Sequence, residues 1–234
     1  MADPKPRIVL LGKQGAGKGT QATRVADHYG VAHLSTGDMF REQAALGTAF
    51  GLEAKRYMDA GELVPDEIVV GVVEECLAPG GPLGDGFVLD GFPRTVHQAE
   101  ELDRVLGTHP LDVAINIDVP REIVLDRLAG RRVCENCQRV YHVNMPPLSD
   151  WSCDACGGKV VLRDDDTEEA IDRRLELYER ETVPIIDHYR DHGLLEVVDG
   201  VGDGDEVYDR ILKTVEDRLR SEPGGGATER RGPA

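Results

Sequence analysis

The chain has few basic residues relative to its acidic ones, and this shortage excludes broad classes of partner. Its 234 residues include 27 Lys and Arg against 44 Asp and Glu, a formal net charge of −17. Proteins that bind nucleic acid or membrane surfaces accumulate Lys and Arg, so neither partner is expected. An anionic ligand would have to be met by a local basic cluster.

Long apolar runs and scattered cysteines are also lacking. The first residues, Met1 to Lys5, have no apolar signal-peptide core, and no run approaches the length that spans a bilayer, so a cytoplasmic protein is expected. Four of the five cysteines fall in one short segment, which favours a metal site over disulfides. The fifth, Cys76, is interpreted as a small buried hydrophobe.

Five apolar runs alternate with helical patterns, which predicts an α/β protein with a parallel sheet covered on both faces. Ligands in such proteins bind at the carboxyl ends of the strands. The predicted strands cover residues 8–11, 31–34, 86–91, 113–119 and 194–198. The predicted helices cover 17–29, a helix capped within 35–38 and ending at 45, then 52–58, 65–77, 95–106, 120–128, 167–189 with a bend at Pro184, and 205–219. The Gly-rich tail, 221–234, is predicted to be disordered.

A glycine-rich segment from Gly12 to Thr20 lies between the first strand and the first helix. Strand, glycine-rich turn and helix form the context of a phosphate-binding loop, whose backbone amides and helix N-terminus attract anions. The pattern departs at Gly19, where Ser or Thr is usual. The alternative is an incidental glycine-rich hairpin. The candidate phosphate ligands are Gly15, Ala16, Gly17, Lys18, Gly19 and Thr20.

Charged residues follow two other predicted strands. Asp90 closes the third strand and could hold Mg²⁺ near phosphates, while Arg94 and Arg41 could bind phosphate directly. Each is weak evidence alone, because arginines on loops are mostly solvated. A second basic group flanks the cysteine segment: Arg127, Arg131, Arg132, Arg163, Arg173 and Arg174. The alternating signs of residues 163–166 also fit a salt-bridged hinge, and the two interpretations are compatible.

Two Cys-x-x-Cys pairs, Cys134/Cys137 and Cys153/Cys156, are separated by fifteen residues, a strong zinc pattern. Four thiolates leave no open coordination position, so the metal would be structural. The alternative is a nucleic-acid zinc module. Residues 130–166 hold five Lys and Arg against six Asp and Glu, which lacks the positive charge of a DNA binder. A structural zinc site that holds a small insert is therefore favoured.

With these motifs in place, the chain resembles the adenylate kinases, in the long bacterial form whose lid carries zinc. The resemblance covers nearly the whole chain except the tail and rests on four motifs: residues 15–21, 35–41, 90–94 and 163–174. The family normally has Gly at the position of Gly19. It usually has Pro at Gln14 and often Lys at Glu62; since backbone groups bind there, small effects are expected.

The resemblance implies a P-loop nucleoside monophosphate kinase fold with a five-stranded parallel sheet and two mobile inserts. The core would comprise residues 1–34, 65–129 and 167–220, the acceptor insert 35–64 and the lid insert 130–166. The residues matching the AMP site are Thr36, Arg41, Glu62, Leu63, Val64, Gly91, Phe92, Pro93, Arg94, Gln98, Arg163 and Arg174. Those matching the ATP site, beyond the loop itself, are Arg127, Arg131, Val140, Tyr141 and Gly202.

The implied activity is Mg²⁺-dependent transfer of a phosphoryl group from ATP to AMP, giving two ADP, by a monomer. Lys18, Asp90, Arg94, Arg131, Arg163 and Arg174 would be the catalytic residues, acting by positioning and charge stabilisation. Gln98 would read the adenine edge. The rivals are a kinase for another nucleoside monophosphate and a non-catalytic nucleotide-binding or zinc-scaffold protein. Acceptor comparison and a coupled assay would distinguish them.

Overall fold

The computed structural model describes residues 5–78, 80–163 and 165–221; residues 222–234 of the predicted tail lie outside this range. The strands are β1 (Arg7–Leu11), β2 (Ala32–Ser35), β3 (Phe87–Asp90), β4 (Val113–Asp118), β5 (Arg131–Cys134), β6 (Val140–His142), β7 (Val160–Val161) and β8 (Leu195–Asp199). The helices are α1 (Lys18–Tyr29), α2 (Thr36–Ala45), α3 (Ala49–Asp59), α4 (Asp66–Leu77), α5 (Val96–Leu106), α6 (Arg121–Ala129), α7 (Glu168–Leu177), α8 (Val183–Asp191) and α9 (Gly204–Ser221).

The central sheet confirms the predicted five parallel strands, in the order β2–β3–β1–β4–β8. Its middle strand, β1, is apolar on both faces: Ile8 and Val9 are 0% exposed. Ile8 and Leu10 pack with α1, α6 and α9, while Val9 and Leu11 pack with α4, α5 and α8. Helices therefore cover both faces, as a parallel sheet requires, and the carboxyl ends of all five strands share one edge.

The acceptor insert contains α2 and α3. Thr48 caps α3 by accepting a hydrogen bond from the Gly51 amide at 3.0 Å, so this helix begins earlier than the predicted residue 52. The rings of Phe40 and Phe50 are 5.5 Å apart between centroids and hold the two helices together. Both rings belong to the same apolar cluster as Val9 and Leu89 of the sheet, so the insert packs onto the core.

The lid insert folds into an antiparallel sheet in the order β6–β5–β7, a local structure that the sequence analysis left unassigned. Its buried cluster is small, comprising Cys134, Tyr141, Cys153 and Val160. So small an apolar core gives little burial energy, which fits a segment that is held by a metal.

The predicted continuous helix over 167–189 is wrong in one detail. A π-helical turn, Tyr178–Thr182, separates α7 from α8, and the Val183 amide donates to the Tyr178 carbonyl five residues back. Pro184 has no N–H and its ring crowds the carbonyl four residues earlier, so regular α-helical bonding cannot continue through this turn. As a result Thr182 donates a hydrogen bond to the Arg94 carbonyl at 3.1 Å, joining this helix to the edge with the strand ends.

Cys76 and the hydrophobicity of the helices are also the subject of predictions. Cys76 is half-buried against the cluster beside α4 and not fully buried as predicted, because it lies near the end of that helix. Within the described ranges, no helix combines the length and apolar character that crossing a bilayer would need.

Candidate active site

The phosphate loop connects β1 to α1, and three glycines with positive φ determine its path. Gly12, Gly15 and Gly17 have φ values of 140°, 81° and 99°, where other residues are strained. A Cβ at Gly12 would lie 2.7 Å from the Ile117 carbonyl oxygen. The loop therefore lies tightly against β4, and the N-terminus of α1 points its unpaired amides into the loop.

Lys18 is the first residue of α1, and its ammonium group folds back over the loop. Its Nζ donates to the carbonyl oxygens of Gly12 at 2.7 Å and Lys13 at 3.0 Å. Burial lowers the pKa of Lys18 to about 8; Asp90 opposes this shift, whereas Arg94 and Arg131 add to it. A buried cation that faces other cations is stabilised by an anion, so the electrostatics favour a phosphate here.

Asp90 ends β3 beside the start of α1 and is 9% exposed. A Cβ at Gly19 would lie 3.2 Å from Asp90 Oδ2, a tight contact for Ser or Thr. The glycine thus allows a close approach between the loop and this carboxylate. Mg²⁺ prefers oxygen ligands, and carboxylates next to a phosphate-binding loop provide them. Asp90 therefore fits a magnesium ion.

Arginines from five parts of the chain converge at this edge of the sheet. Arg94, in the turn after β3, donates from Nε to the Gly91 carbonyl at 2.9 Å. Burial, with a contribution from Arg174 and against the effect of Asp90, lowers the pKa of Arg94 to about 10. Each arginine of this cluster repels the positive charge of its neighbours. The negative charge of a bound oligophosphate would offset that repulsion. The members are Arg41, Arg94, Arg131, Arg163 and Arg174.

Two carboxylates that the sequence analysis did not assign to the site partly neutralise this cluster. Asp165 accepts two hydrogen bonds from Arg163, at 3.0 and 2.9 Å, and one from Arg174 at 2.8 Å. Asp166 accepts a bidentate pair from Arg131, one bond at 2.7 Å. Burial would raise the pKa of Asp165, but these arginines hold it well below its usual range. Salt bridges are therefore observed at Asp165 and Asp166, while a hinge at this segment stays a prediction.

Asp166 also contacts the phosphate loop. Gln14 Nε2 donates to Asp166 Oδ1 at 3.3 Å, and Asp166 has no exposed side-chain surface. Gln14 was expected to matter little because phosphate is bound by backbone. Its side chain nevertheless joins the loop to the lid insert.

The predicted acceptor residues lie around the end of β3. Thr36 is 2% exposed and donates to the Gly91 carbonyl at 2.9 Å, while Phe92 is 1% exposed and Pro93 is buried. Gln98 is 1% exposed and takes part in hydrogen bonds at both ends of its amide, with Asp66 and with the Arg94 backbone. These contacts place Gln98 close to the arginine cluster.

A cavity of about 400 Å³ opens beside these residues, lined in part by Leu63, Val64, Asp66 and Thr95. The carboxylate of Glu62 also lines it and lies 3.3 Å from Arg173. The lining is mixed, because the charged residues Arg173, Arg180 and Glu181 stand beside the apolar Pro65 and Leu177. Asp66 gave no sequence signal of its own beyond opening a helix.

Arg127, on α6, contacts the phosphate loop. It donates to the carbonyl oxygens of Ala16 at 3.3 Å and Gly200 at 3.0 Å. It thereby connects the phosphate loop to the turn after β8, where Gly202 has φ 120°. Val140 and Tyr141 lie further away in sequence, on β6 of the lid insert. Thr20 is exposed on the first turn of α1.

The four cysteines of the lid insert form one cluster, with all Sγ atoms within 4.8 Å of one another. The Sγ distances are 3.5 Å for Cys134–Cys156 and for Cys137–Cys153. Zinc with Zn–S bonds of about 2.3 Å places tetrahedral sulfurs about 3.8 Å apart, so the cluster fits the ion. The Tyr141 hydroxyl donates to Cys153 Sγ at 3.3 Å and lowers the pKa of Cys153 to about 6.

Comparisons with known proteins agree with this geometry. A family model described as adenylate kinase matches residues 10–194. An adenylate kinase of Thermodesulfovibrio yellowstonii is 49% identical over 213 residues, covering 90% of this chain and 99% of the relative. One from Clostridium perfringens is 48% identical, covering 88% and 97%. One from Archaeoglobus fulgidus is 49% identical, covering 89% and 97%.

Proposed function

The chain belongs to the adenylate kinase family, and from this premise we propose that it transfers the terminal phosphoryl group of ATP reversibly to AMP, giving two ADP. Its role would be to balance adenine nucleotides, as a cytoplasmic monomer. The observation that carries the proposal is the meeting of the half-buried Lys18 and Arg94 with the arginines of the lid insert beside Asp90. Such a cluster is suited to two phosphate chains end to end.

The donor would occupy the side of the phosphate loop. Backbone amides at residues 15–20 and the Lys18 ammonium would hold the β- and γ-phosphates of ATP. Arg127, which donates to both Ala16 and Gly200, sets the distance between the loop and the turn that contains Gly202. The adenine would lie between that turn and the backbone of Val140 and Tyr141. Tyr141 can contribute only backbone or its ring face, since its hydroxyl is engaged with Cys153 and the Asp154 amide.

The acceptor would enter the cavity beside α4. Arg41 and Arg94 would hold the AMP phosphate, and Gln98 would read the base. The backbone at residues 62–64 and the buried Thr36, with Gly91, Phe92 and Pro93, would form the walls around the nucleoside. In this arrangement the phosphate of AMP faces the phosphate loop across Arg94.

Transfer needs no covalent intermediate and no strong base, because charge stabilisation and alignment lower the barrier. Arg131, Arg163 and Arg174 would surround the moving phosphoryl group. Mg²⁺ beside Asp90 would neutralise donor phosphate charge when bound. Movement of the lid insert and the acceptor insert over the nucleotides would exclude water, which otherwise competes with AMP for the phosphoryl group.

Zinc held by the four cysteines would be structural, keeping β5, β6 and β7 folded so that Arg131 is held in place. Four sulfur ligands leave no coordination site for a nucleotide. The ion would therefore influence the reaction only through the shape of the lid insert.

The deciding experiment is a coupled assay for ADP formation from ATP and Mg²⁺, with AMP, GMP, CMP and UMP compared as acceptors. AMP should be used far better than the others. A higher kcat/KM with another nucleoside monophosphate would refute the acceptor assignment, and absence of turnover with all four would refute the proposal.

Variants of Lys18 and Arg94 test the assigned roles. Arg94→Ala and Lys18→Ala should each lower kcat by at least about 10²-fold, because each removes charge from the transition state. Arg132→Ala is the matched control, since Arg132 bonds only to the nearby carbonyls of Ala129 and Arg131 in the contacts of its guanidinium that the structure records. Folded Lys18 or Arg94 variants with near-normal turnover would contradict these roles.

A further inference from the structure

The amide of Gln98 is bound in one orientation by two groups of opposite hydrogen-bonding character. Its Nε2 donates to Asp66 Oδ1 at 2.6 Å, and its Oε1 accepts from the Arg94 backbone amide at 2.7 Å. A carboxylate can only accept and a backbone N–H can only donate. Rotating the amide by 180° would put oxygen against oxygen and N–H against N–H, so the observed orientation is strongly preferred.

The position of Asp66 is itself fixed by its surroundings. It is the first residue of α4, where the helix N-terminus favours a negative charge. Its second oxygen accepts from the Thr95 hydroxyl at 2.7 Å, and that hydroxyl accepts from the Gln98 backbone amide at 3.1 Å. Asp66, Thr95 and Gln98 thus form a closed hydrogen-bonded ring between α4 and the start of α5.

The bound amide retains one hydrogen on nitrogen and one lone pair on oxygen. The relative positions of this donor and this acceptor are fixed, because the amide is held in one orientation. Adenine presents an amino donor beside the N1 acceptor, whereas a 6-oxopurine presents an oxygen acceptor beside an N1–H donor. The two edges have the same shape and opposite polarity, so a fixed amide can match one of them only.

We propose that Asp66 is a specificity-determining positioning residue, which selects a 6-aminopurine over a 6-oxopurine by holding the amide of Gln98 in one orientation. This inference rests on the proposed function, in which Gln98 faces the acceptor base. Asp66 acts through Gln98 and makes no contact with the reacting phosphates. It also lines the cavity that would receive the base.

The test compares AMP with IMP, which carries the 6-oxo group without the 2-amino group of GMP. In the wild type AMP should be strongly preferred in kcat/KM. Asp66→Asn keeps the shape but can donate as well as accept, so the amide can turn over. The AMP-to-IMP ratio should fall about tenfold, the size expected from losing one charge-assisted hydrogen bond, while the KM for ATP should not change.

Two further variants make the result interpretable. Glu67→Gln removes the same charge from an exposed neighbour in the same turn of α4 and should leave the ratio unchanged. Gln98→Leu should abolish the preference. If Gln98→Leu does so and Asp66→Asn has the wild-type ratio, the role of Asp66 is wrong and the acceptor assignment stands. If Gln98→Leu retains the preference, both are wrong.

A measurement on the wild type covers the case in which Asp66→Asn does not fold. The side-chain amide protons of Gln98, assigned by their loss in Gln98→Leu, should give two separate NMR resonances. The proton that faces the Asp66 carboxylate should be shifted downfield, and both should persist when AMP binds. Two resonances at the positions of a solvent-exposed glutamine amide, with no downfield shift, would overturn the proposal, because they would show that the carboxylate does not hold the amide.

Discussion

Asp165 should contribute more to stability than any exposed carboxylate of the chain, because three arginines surround it. Its side chain is 7% exposed, accepts three hydrogen bonds from Arg163 and Arg174, and lies 3.9 Å from Arg41. Asp165→Asn removes the negative charge and leaves these cations facing one another. Removing one partner of a buried ion pair costs about 3–5 kcal/mol. We therefore expect the variant to lose about 3 kcal/mol of its free energy of unfolding.

For a chain of this size about 3 kcal/mol corresponds to a fall in Tm of roughly 6–12 °C. Calorimetry and urea unfolding at pH 7, without nucleotide, would measure it. Asp59→Asn is the matched control: Asp59 pairs with Lys55 at 2.9 Å on the surface, where both side chains are 40% or more exposed, so it should cost at most about 0.5 kcal/mol. Equal losses for the two variants would refute the assignment of a buried, charge-balancing role to Asp165.

The pH dependence gives an independent check on the same residue. The arginines hold the folded-state pKa of Asp165 below its unfolded value, which is near about 3.9. Its contribution is therefore complete above the unfolded pKa and is lost as pH falls through the folded one. The stability curves of wild type and Asp165→Asn should run parallel from about pH 5 to 8 and converge in stronger acid. Convergence already at neutral pH would contradict the origin of the effect.

Two other predictions concern the loop and the lid insert. Because burial lowers the pKa of Lys18 to about 8 and its charged form is the one that binds phosphate, kcat/KM for ATP should decline as pH rises through about 8; a flat profile to pH 9.5 would refute this. Removing zinc with a chelator should expose the four thiols to a thiol reagent and quench or shift the fluorescence of Trp151, the single tryptophan of the chain, while far-UV circular dichroism of the core persists. Metal analysis finding no zinc in the purified protein, or thiols that react equally fast before chelation, would contradict the second prediction.

The elements that carry the sheet could be predicted because their signals are local. The run Ile8–Leu11 is apolar at every position, and Gly12, Gly15 and Gly17 after it have positive φ values that other residues rarely adopt. The strand order could not be derived in the same way, because it depends on pairing between segments far apart, such as β1 with β3 and β4. The strands of the lid insert are only two to four residues long and carry too short a pattern to recognise.

The sequence predicts candidate site residues where they carry the positive charge that an anion needs, and it omits the acidic residues that the structure places among them. Asp165 and Asp166 stand in an acidic run, which in most sequences is a solvated surface. Their burial depends on arginines from α2, β5 and α7, and no periodicity within residues 163–166 reports that. Asp66 was missed for a related reason, because an acidic residue in the first turn of a helix is common without any further role.

These carboxylates change how nucleotide binding should be understood in so acidic a chain. Without a ligand the cluster is not an unbalanced patch of positive charge, since Arg163 and Arg174 share Asp165 while Arg131 is paired with Asp166. Phosphate oxygens must therefore compete with, or bind alongside, carboxylates that already orient the arginines. Lys18 and Arg94 are different: burial and neighbouring cations lower the pKa of each, and the carboxylate acting on both, Asp90, is also the candidate magnesium ligand. Phosphate binding should consequently be stabilised most by Lys18 and Arg94, whereas Arg131, Arg163 and Arg174 are already held in a fixed geometry by the two carboxylates. That division explains how the chain can carry a net charge of −17 and still bind polyanions at one edge of its sheet.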